Sequence, residues 1–382
     1  MRMPVFRGTK RGLILVVGLF LSSILLAACG EDSPSILNPT GPVAATESGL
    51  FWMILWISLI IFVLVEGALV YSIFRFRERP GQPNPYQNHG NMTLELIWTV
   101  IPTIVLFIVL FFTIRGLLQV APEAEPAATA SQPKISVTAV GHQWYWSFYY
   151  ESYHVTTADT LEVPVGTTVH VDLFSNNVIH SFWVPSLTGK TDVIPGHANA
   201  KWFVADKLGE YMGECAEFCG QQHANMRFSV KVVSNDTFQT WISGQQQAAA
   251  APSDTLAQQG ETLFKNQCSS CHGIVGVDAK QYYNEAQECT DQPGGHANGT
   301  PQCLIGPNLT HFGSRSLIAG GVLSNNNTGS NCDPNSANLL QTCNLAKWLN
   351  DPQGIKPGND MVIGQLTQAQ IKTLVAYLEG LK

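Results

Sequence analysis

The segment Cys215-Ala-Glu-Phe-Cys219-Gly-Gln-Gln-His223-Ala-Asn-Met226 brings two thiols, an imidazole and a thioether into one short stretch. A second imidazole is available upstream at His180. Soft sulfur donors mixed with imidazole select copper over magnesium, calcium or manganese. Two thiolates can bridge a pair of copper ions, with one histidine capping each and Met226 as a weak axial ligand. A structural Cys2His2 zinc site has compatible spacing, and a disulfide between Cys215 and Cys219 is a further alternative. Downstream, Cys268-Ser-Ser-Cys271-His272 is the pattern by which haem is attached through two thioethers and ligated on one face. A distal methionine would raise the potential of such a haem and block it from binding oxygen. Met361 is the one methionine after Met226, with His296 and His311 as rivals that read as solvated loop residues. Two redox centres on one chain describe a conductor of electrons.

These residues need elements to hold them. The chain has 382 residues, of which 13% are charged and 45% hydrophobic, a balance that points to membrane segments joined to soluble domains. A net charge of -7 gives no basic footprint, which sets nucleic-acid binding aside. Arg2, Arg7, Lys10 and Arg11 precede an apolar run at 13–28, the layout of a secretory signal peptide. It ends Leu26-Ala27-Ala28-Cys29, which resembles the bacterial lipobox, so residues 1–28 are expected to be removed and Cys29 lipidated. An exterior segment, 29–49, would follow. Apolar runs at 50–74 and 94–118 can each span a bilayer, giving a membrane hairpin over 50–118. The loop between them begins Arg75-Phe-Arg77-Glu-Arg79, and the positive-inside rule places it in the cytoplasm, with both outer ends at the exterior face.

An Ala/Pro/Glu-rich linker is expected at 119–133. Short alternating stretches around 135–140, 160–165, 169–174 and 228–233 have the rhythm of an all-β sandwich or barrel over 134–243, its metal loop joining the last two strands. A second linker, 244–253, precedes a mostly helical domain over 254–382. That domain opens with a helical pattern across 256–266 and closes with one in which Ile371, Leu374, Val375 and Leu378 share a face. Of nine cysteines, Cys289, Cys303, Cys332 and Cys343 carry neither lipid nor cofactor in this reading. In an oxidising exterior space they are disulfide candidates, with the local pairs Cys289–Cys303 and Cys332–Cys343 favoured.

Longer motifs sharpen this. Leu94-Glu-Leu-Ile-Trp-Thr-Val-Ile-Pro102, Gly141-His-Gln-Trp-Tyr-Trp-Ser147, His180-Ser-Phe-Trp-Val-Pro185, Lys190-Thr-Asp-Val-Ile-Pro-Gly196 and the 215–226 loop together resemble subunit II of haem-copper cytochrome c oxidases. The kind resembled is the caa3 type, with a cytochrome c domain fused at the C-terminus. The resemblance implies a two-helix transmembrane hairpin, an all-β cupredoxin-like copper domain and a mostly α class I cytochrome c domain. It implies a dinuclear copper A centre held by His180, Cys215, Cys219, His223, Met226 and the Glu217 backbone carbonyl. The Glu217 side chain would hold magnesium, a hard oxygen-preferring ion, at the boundary with subunit I. Trp144 matches the tryptophan where electrons enter the copper domain, and Glu95 the glutamate at the mouth of a proton pathway. Haem c would be held by Cys268, Cys271, His272 and Met361. His197 departs from the family, many members of which have arginine there. Glu66, inside the first apolar run, matches no family role.

The implied activity is that of an oxidase subunit: an exterior donor reduces haem c, electrons pass through copper A to haem a of subunit I, and that partner reduces oxygen to water and pumps protons. Subunit I and subunit III are the implied membrane partners. The donor is a cytochrome c, a small copper protein or an iron-sulfur protein. The implied place is the bacterial cell membrane, with both soluble domains on the exterior, periplasmic face. Two other classes stand beside this reading. A quinol oxidase subunit II would lack the copper ligands, and a free-standing lipid-anchored carrier would not need Glu95 and its motif.

Overall fold

Helix α1 (Pro42–Arg75) and helix α2 (Met92–Val120) are apolar around their whole circumference, with spans of mean hydropathy 2.6. Each exceeds the roughly 20 residues that cross a bilayer core. Helix α1 starts at Pro42, ahead of the apolar run, so part of the expected exterior segment is helical. Proline at the first helical position loses no hydrogen bond. The added turns are held by the β domain: Val43, Ala44 and Ser48 are buried, and Val43 packs with Trp202 and Val204. The Asn91 side chain caps α2, accepting from Thr93 N at 3.1 Å and Leu94 N at 3.2 Å. Glu95 lies in the first turn, where the positive end of the helix favours a carboxylate. This computed structural model describes residues 18, 34–77, 79–81, 90–130, 132–252, 254–277, 306–327 and 331–382. Apart from residue 18, the segment expected to be a signal peptide lies outside the described residues, as does Cys29.

The stretch expected as a linker at 119–133 is packed. Trp202 Nε1 donates to Ala121 O at 2.9 Å, and Glu125 pairs with Lys134 at 3.0 Å and His170 at 2.8 Å. The outer ends of both apolar helices are therefore stapled to the β domain, since Thr40 N also donates to Ser186 O at 2.7 Å.

Strands β1 (Lys134–His142), β2 (Tyr145–Tyr150), β3 (Val155–Ala158), β4 (Thr160–Pro164), β5 (Thr168–Ser175), β6 (His180–Val184), β7 (Thr188–Val193), β8 (Asn199–Val204), β9 (Gly209–Cys215) and β10 (Arg227–Val233) form two five-stranded sheets. Their orders are β3-β2-β1-β5-β8 and β4-β10-β9-β6-β7. The pairs β1–β5 and β10–β4 are parallel, so the chain crosses between sheets. The faces meet in a core of Trp146, Phe148, Phe182 and Phe228, with Phe182 and Phe228 stacked at 4.9 Å. The all-β expectation is met, and the 215–226 loop joins β9 to β10 as anticipated.

Helix α3 (Asn235–Gln245), capped by Ser234, runs into the second expected linker. Ala249 N donates to Val275 O at 3.0 Å, so the remaining connector is bound to the C-terminal domain. That domain is built on α4 (Thr255–Gln267) packed against α8 (Gln368–Gly380), with α5 (Leu339–Thr342), α6 (Asn344–Asn350) and α7 (Pro352–Ile355) between them. Thr367 and Gln370 form a capping box on α8, whose Ile371, Leu374, Val375 and Leu378 are buried as their spacing predicts. Gly260 permits the close α4–α8 approach, because a Cβ there would collide with Thr373 O. A disulfide joins Cys332 to Cys343. Cys289, Cys303 and His296 lie outside the described residues.

Candidate metal centre

His180 opens β6, Cys215 ends β9, and the turn that follows carries Cys219, His223 and Met226. Cys215 Sγ lies 3.7 Å from Cys219 Sγ and 3.8 Å from His180 Nδ1. Cys219 Sγ lies 3.7 Å from His223 Nδ1 and 3.8 Å from Met226 Sδ. All five expected side chains converge. A sulfur separation of 3.7 Å rules out the disulfide alternative, because a bonded pair needs about 2.05 Å. Glu217 O lies 3.2 Å from Cys215 Sγ, inside the same cluster, while the Glu217 side chain is exposed.

The surroundings fix these donors. His180 is fully buried; its Nε2–H donates to Asn177 Oδ1 at 3.1 Å, which leaves Nδ1 facing sulfur. Trp146 packs edge-on against the ring at 6.0 Å. Gly141 makes room for it, since a Cβ there would lie 2.8 Å from His180 Cδ2. The Cys215 thiol is held well below its usual range, first by its hydrogen bond with Cys219 and then by His180 and the Glu217 and Ser181 backbone, against burial. Cys219 is pushed the other way by that same bond and by burial. Such a sulfur pair holds one proton tightly between them, and a soft cation displaces it.

Met226 completes the cluster from a fully buried position. Thioether is a poor zinc ligand and a common axial copper ligand, so the donor set fits copper. Trp144 lies directly behind: its Nε1 donates to Cys219 O at 2.9 Å, and the Gln143 amide donates to the same carbonyl at 2.7 Å.

In the C-terminal domain, the α4 C-terminus turns sharply, with Cys271 N and His272 N both donating to Cys268 O at 3.1 and 2.9 Å. His272 Nδ1 donates to Pro307 O at 2.9 Å, and Gly306 leaves space for the ring. Proximal orientation therefore comes from the Gly306-Pro-Asn-Leu309 segment. Burial, with a smaller push from Cys271, raises the Cys268 thiol to about 11. Met361 is half-buried against the same core as Cys268, and its N–H donates to Asn359 Oδ1 at 2.8 Å. These residues fit a covalent haem with a distal methionine. His311 is corrected: it is buried, with Nε2 3.2 Å from Gln247 O, and ties the connector to the domain instead of being solvated.

The cytochrome c oxidase subunit II transmembrane family matches residues 37–115, its periplasmic-domain family 154–233, and the cytochrome c family 257–382. Cytochrome c oxidase subunit 2 of Alkalihalophilus pseudofirmus is 34% identical over 95% of both chains. The chain belongs to the cytochrome c oxidase subunit II family. The subunit 2 of Bacillus subtilis, 32% identical over 96% of this chain and 97% of its own length, extends the likeness through the cytochrome c domain. The periplasmic domain of oxidase subunit II from Bradyrhizobium japonicum is 30% identical, covering 32% of this chain and 96% of that one at a TM-score of 0.30. As a cytochrome c oxidase subunit II with a fused cytochrome c domain, the chain is a membrane protein with an oxidase subunit I as partner, and its two soluble domains are of the kinds that carry copper A and haem c. When bound, these groups supply one-electron storage, with the copper charge spread over two ions so that little reorganisation accompanies each transfer.

Sequence reasoning missed Asn177, Asp159 and Lys356. Asp159, in the β3–β4 turn, accepts from Trp146 N at 3.0 Å, and burial raises its carboxyl. Burial likewise pulls Lys356 down to about 8, against the opposing pull of Asp159. A lone buried charge gives no sequence signal of its own.

Proposed function

We propose that this subunit takes electrons from an exterior donor at its haem domain and hands them past Trp144 into the copper loop, from which subunit I draws them to reduce oxygen to water. The observation that carries the order is contact: the 356–358 segment of the haem domain lies on Trp144, whose Nε1 donates to the backbone of Cys219. The ligands are His180, Cys215, Glu217 O, Cys219, His223 and Met226 for copper, and Cys268, Cys271, His272 and Met361 for haem. The exposed Glu217 carboxylate would hold magnesium against subunit I.

Glu95, capped into the first turn of α2 and exposed in the isolated chain, would stand at a proton pathway in subunit I. The basic residues following α1 support a cytoplasmic loop and an exterior, periplasmic position for both soluble domains. Subunit III would complete the membrane assembly, and the donor would be a cytochrome c, a small copper protein or an iron-sulfur protein. Cys29 would carry a lipid anchor.

The experiment is flash reduction of haem c in the assembled oxidase. Reoxidation should be first order and independent of protein concentration. In a variant with Cys215→Ser and Cys219→Ser, haem c should remain reducible and stay reduced. Normal donor oxidation by that variant would mean the haem domain reaches subunit I by another path.

A further inference from the structure

Lys356 is only 2% exposed, although it sits in a loop of the haem domain. Its Nζ donates to Trp144 O at 2.6 Å, to Asn225 O at 3.0 Å and to Ala319 O at 2.8 Å. An ammonium has three donors and no acceptor, so every one of its hydrogen bonds is used. Two of the three acceptors belong to the copper domain. Buried charge is tolerated only where it is paired and fully hydrogen-bonded. The counter-charge is present: Asp159 of the copper domain, itself 3% exposed, acts electrostatically on Lys356 and accepts from Gly320 N of the haem domain.

Backbone contacts surround this pair. Arg227 N donates to Gly320 O at 3.0 Å, and Gln222 Nε2 donates to Pro357 O at 2.8 Å. Gly358, at φ 83°, lies against the copper domain, where a Cβ would meet Gln221 Oε1 at 2.8 Å and touch Trp144 Cη2 at 3.6 Å. At Gly320, φ 67°, a Cβ would collide with Trp144 O and Lys356 Nζ. Backbone carbonyls cannot slide along a surface as long charged side chains can. These contacts admit one register of the two domains.

We propose that Lys356 is a latch: inserted into the copper domain, it seats the haem domain in one fixed register over Trp144, so that the chain carries its own docked electron donor. Trp144 is then covered, being 9% exposed, and an exterior donor meets the haem domain in its place. Lys356 is a positioning residue; it holds no cofactor. The inference rests on the reading of Trp144 as the acceptor from haem c, and its tests separate the two.

The full chain, with both cofactors in detergent, is treated with an amine-reactive imidoester and followed by mass spectrometry. Lys207, which is exposed, should react at the ordinary rate, and Lys356 at least about tenfold more slowly, because reaction requires the interface to open. The variant Lys356→Met should keep the absorption spectrum of the haem and the paramagnetic signal of copper. Its Arg227 amide should exchange faster with deuterium, and its haem-to-copper transfer should slow by at least about tenfold, since a small displacement of reacting partners costs that much or more. Labelling of Lys356 as fast as Lys207 overturns the latch, and so does a variant in which either exchange or transfer stays at the wild-type rate. The labelling uses the native chain and decides the matter even where the variant does not accumulate. Continued onward transfer in the Cys215→Ser, Cys219→Ser variant would overturn the acceptor reading instead, and leaves the labelling and exchange results standing.

Discussion

At Gly141 a single methyl group would press on the ring of His180, which is fully buried and has no room to retreat. Gly141→Ala should therefore lower the thermal stability of the copper domain by about 1–3 kcal/mol, the ordinary cost of overpacking, and weaken copper retention. Calorimetry beside metal analysis checks both, and a variant with wild-type copper content and melting temperature would mean that the ring can shift. Met226 acts differently. It places a neutral thioether beside Cys219, and in the proposed centre the thiolates and imidazoles would carry the binding. Met226→Leu should keep copper bound and shift its midpoint potential, as an axial ligand tunes more than it binds. Loss of the metal on dialysis would make Met226 a principal ligand.

The elements convert local sequence rules into placement. Thr367 and Gln370 close the N-terminus of α8, the helix that packs on α4 just ahead of Cys268. Thr367→Ala should cost about 1 kcal/mol, a usual loss for an N-cap, read as a lower unfolding midpoint of the haem domain with an unchanged haem spectrum. An unchanged midpoint would show that α4–α8 packing alone sets the helix end. In α2, the Asn91 cap fixes where the helix begins and therefore where Glu95 stands. Glu95→Gln should slow steady-state oxygen consumption in the assembled oxidase while anaerobic reduction of haem c and copper proceeds normally. Unaffected turnover would leave Glu95 as a solvated residue at a helix end.

Across the whole molecule, the copper and haem domains have separate apolar cores that meet through polar and backbone contacts. They are docked without sharing a core. Replacing His272 with Ala should disturb haem ligation while the copper signal persists, and chelating copper should leave the haem spectrum in place. Simultaneous loss of both signals would show one cooperative unit. The connector does not set their spacing as a loose tether would, because residues 247–249 are already bound to the haem domain through His311 and Val275.

What the sequence alone determined is what depends on residue type and local spacing. Apolar runs longer than a bilayer core, alternation in the β strands, the apolar face of the last helix, Cys-x-x-Cys-His and the soft donors of the 215–226 loop all carry their meaning within a few residues. The Cys332–Cys343 pairing was local enough to anticipate as well. Only tertiary structure decided whether Cys215 and Cys219 were bonded, because both outcomes suit a three-residue gap and only the 3.7 Å separation distinguishes them. It also decided that the expected linkers are packed: Ala, Pro and Gln look flexible in sequence, but here their backbone groups find partners on neighbouring domains. Lys356 shows the reason most plainly. Its acceptors at Trp144 and Asn225 lie far away in the chain, and backbone carbonyls exist at every residue, so no pattern in the sequence could single them out.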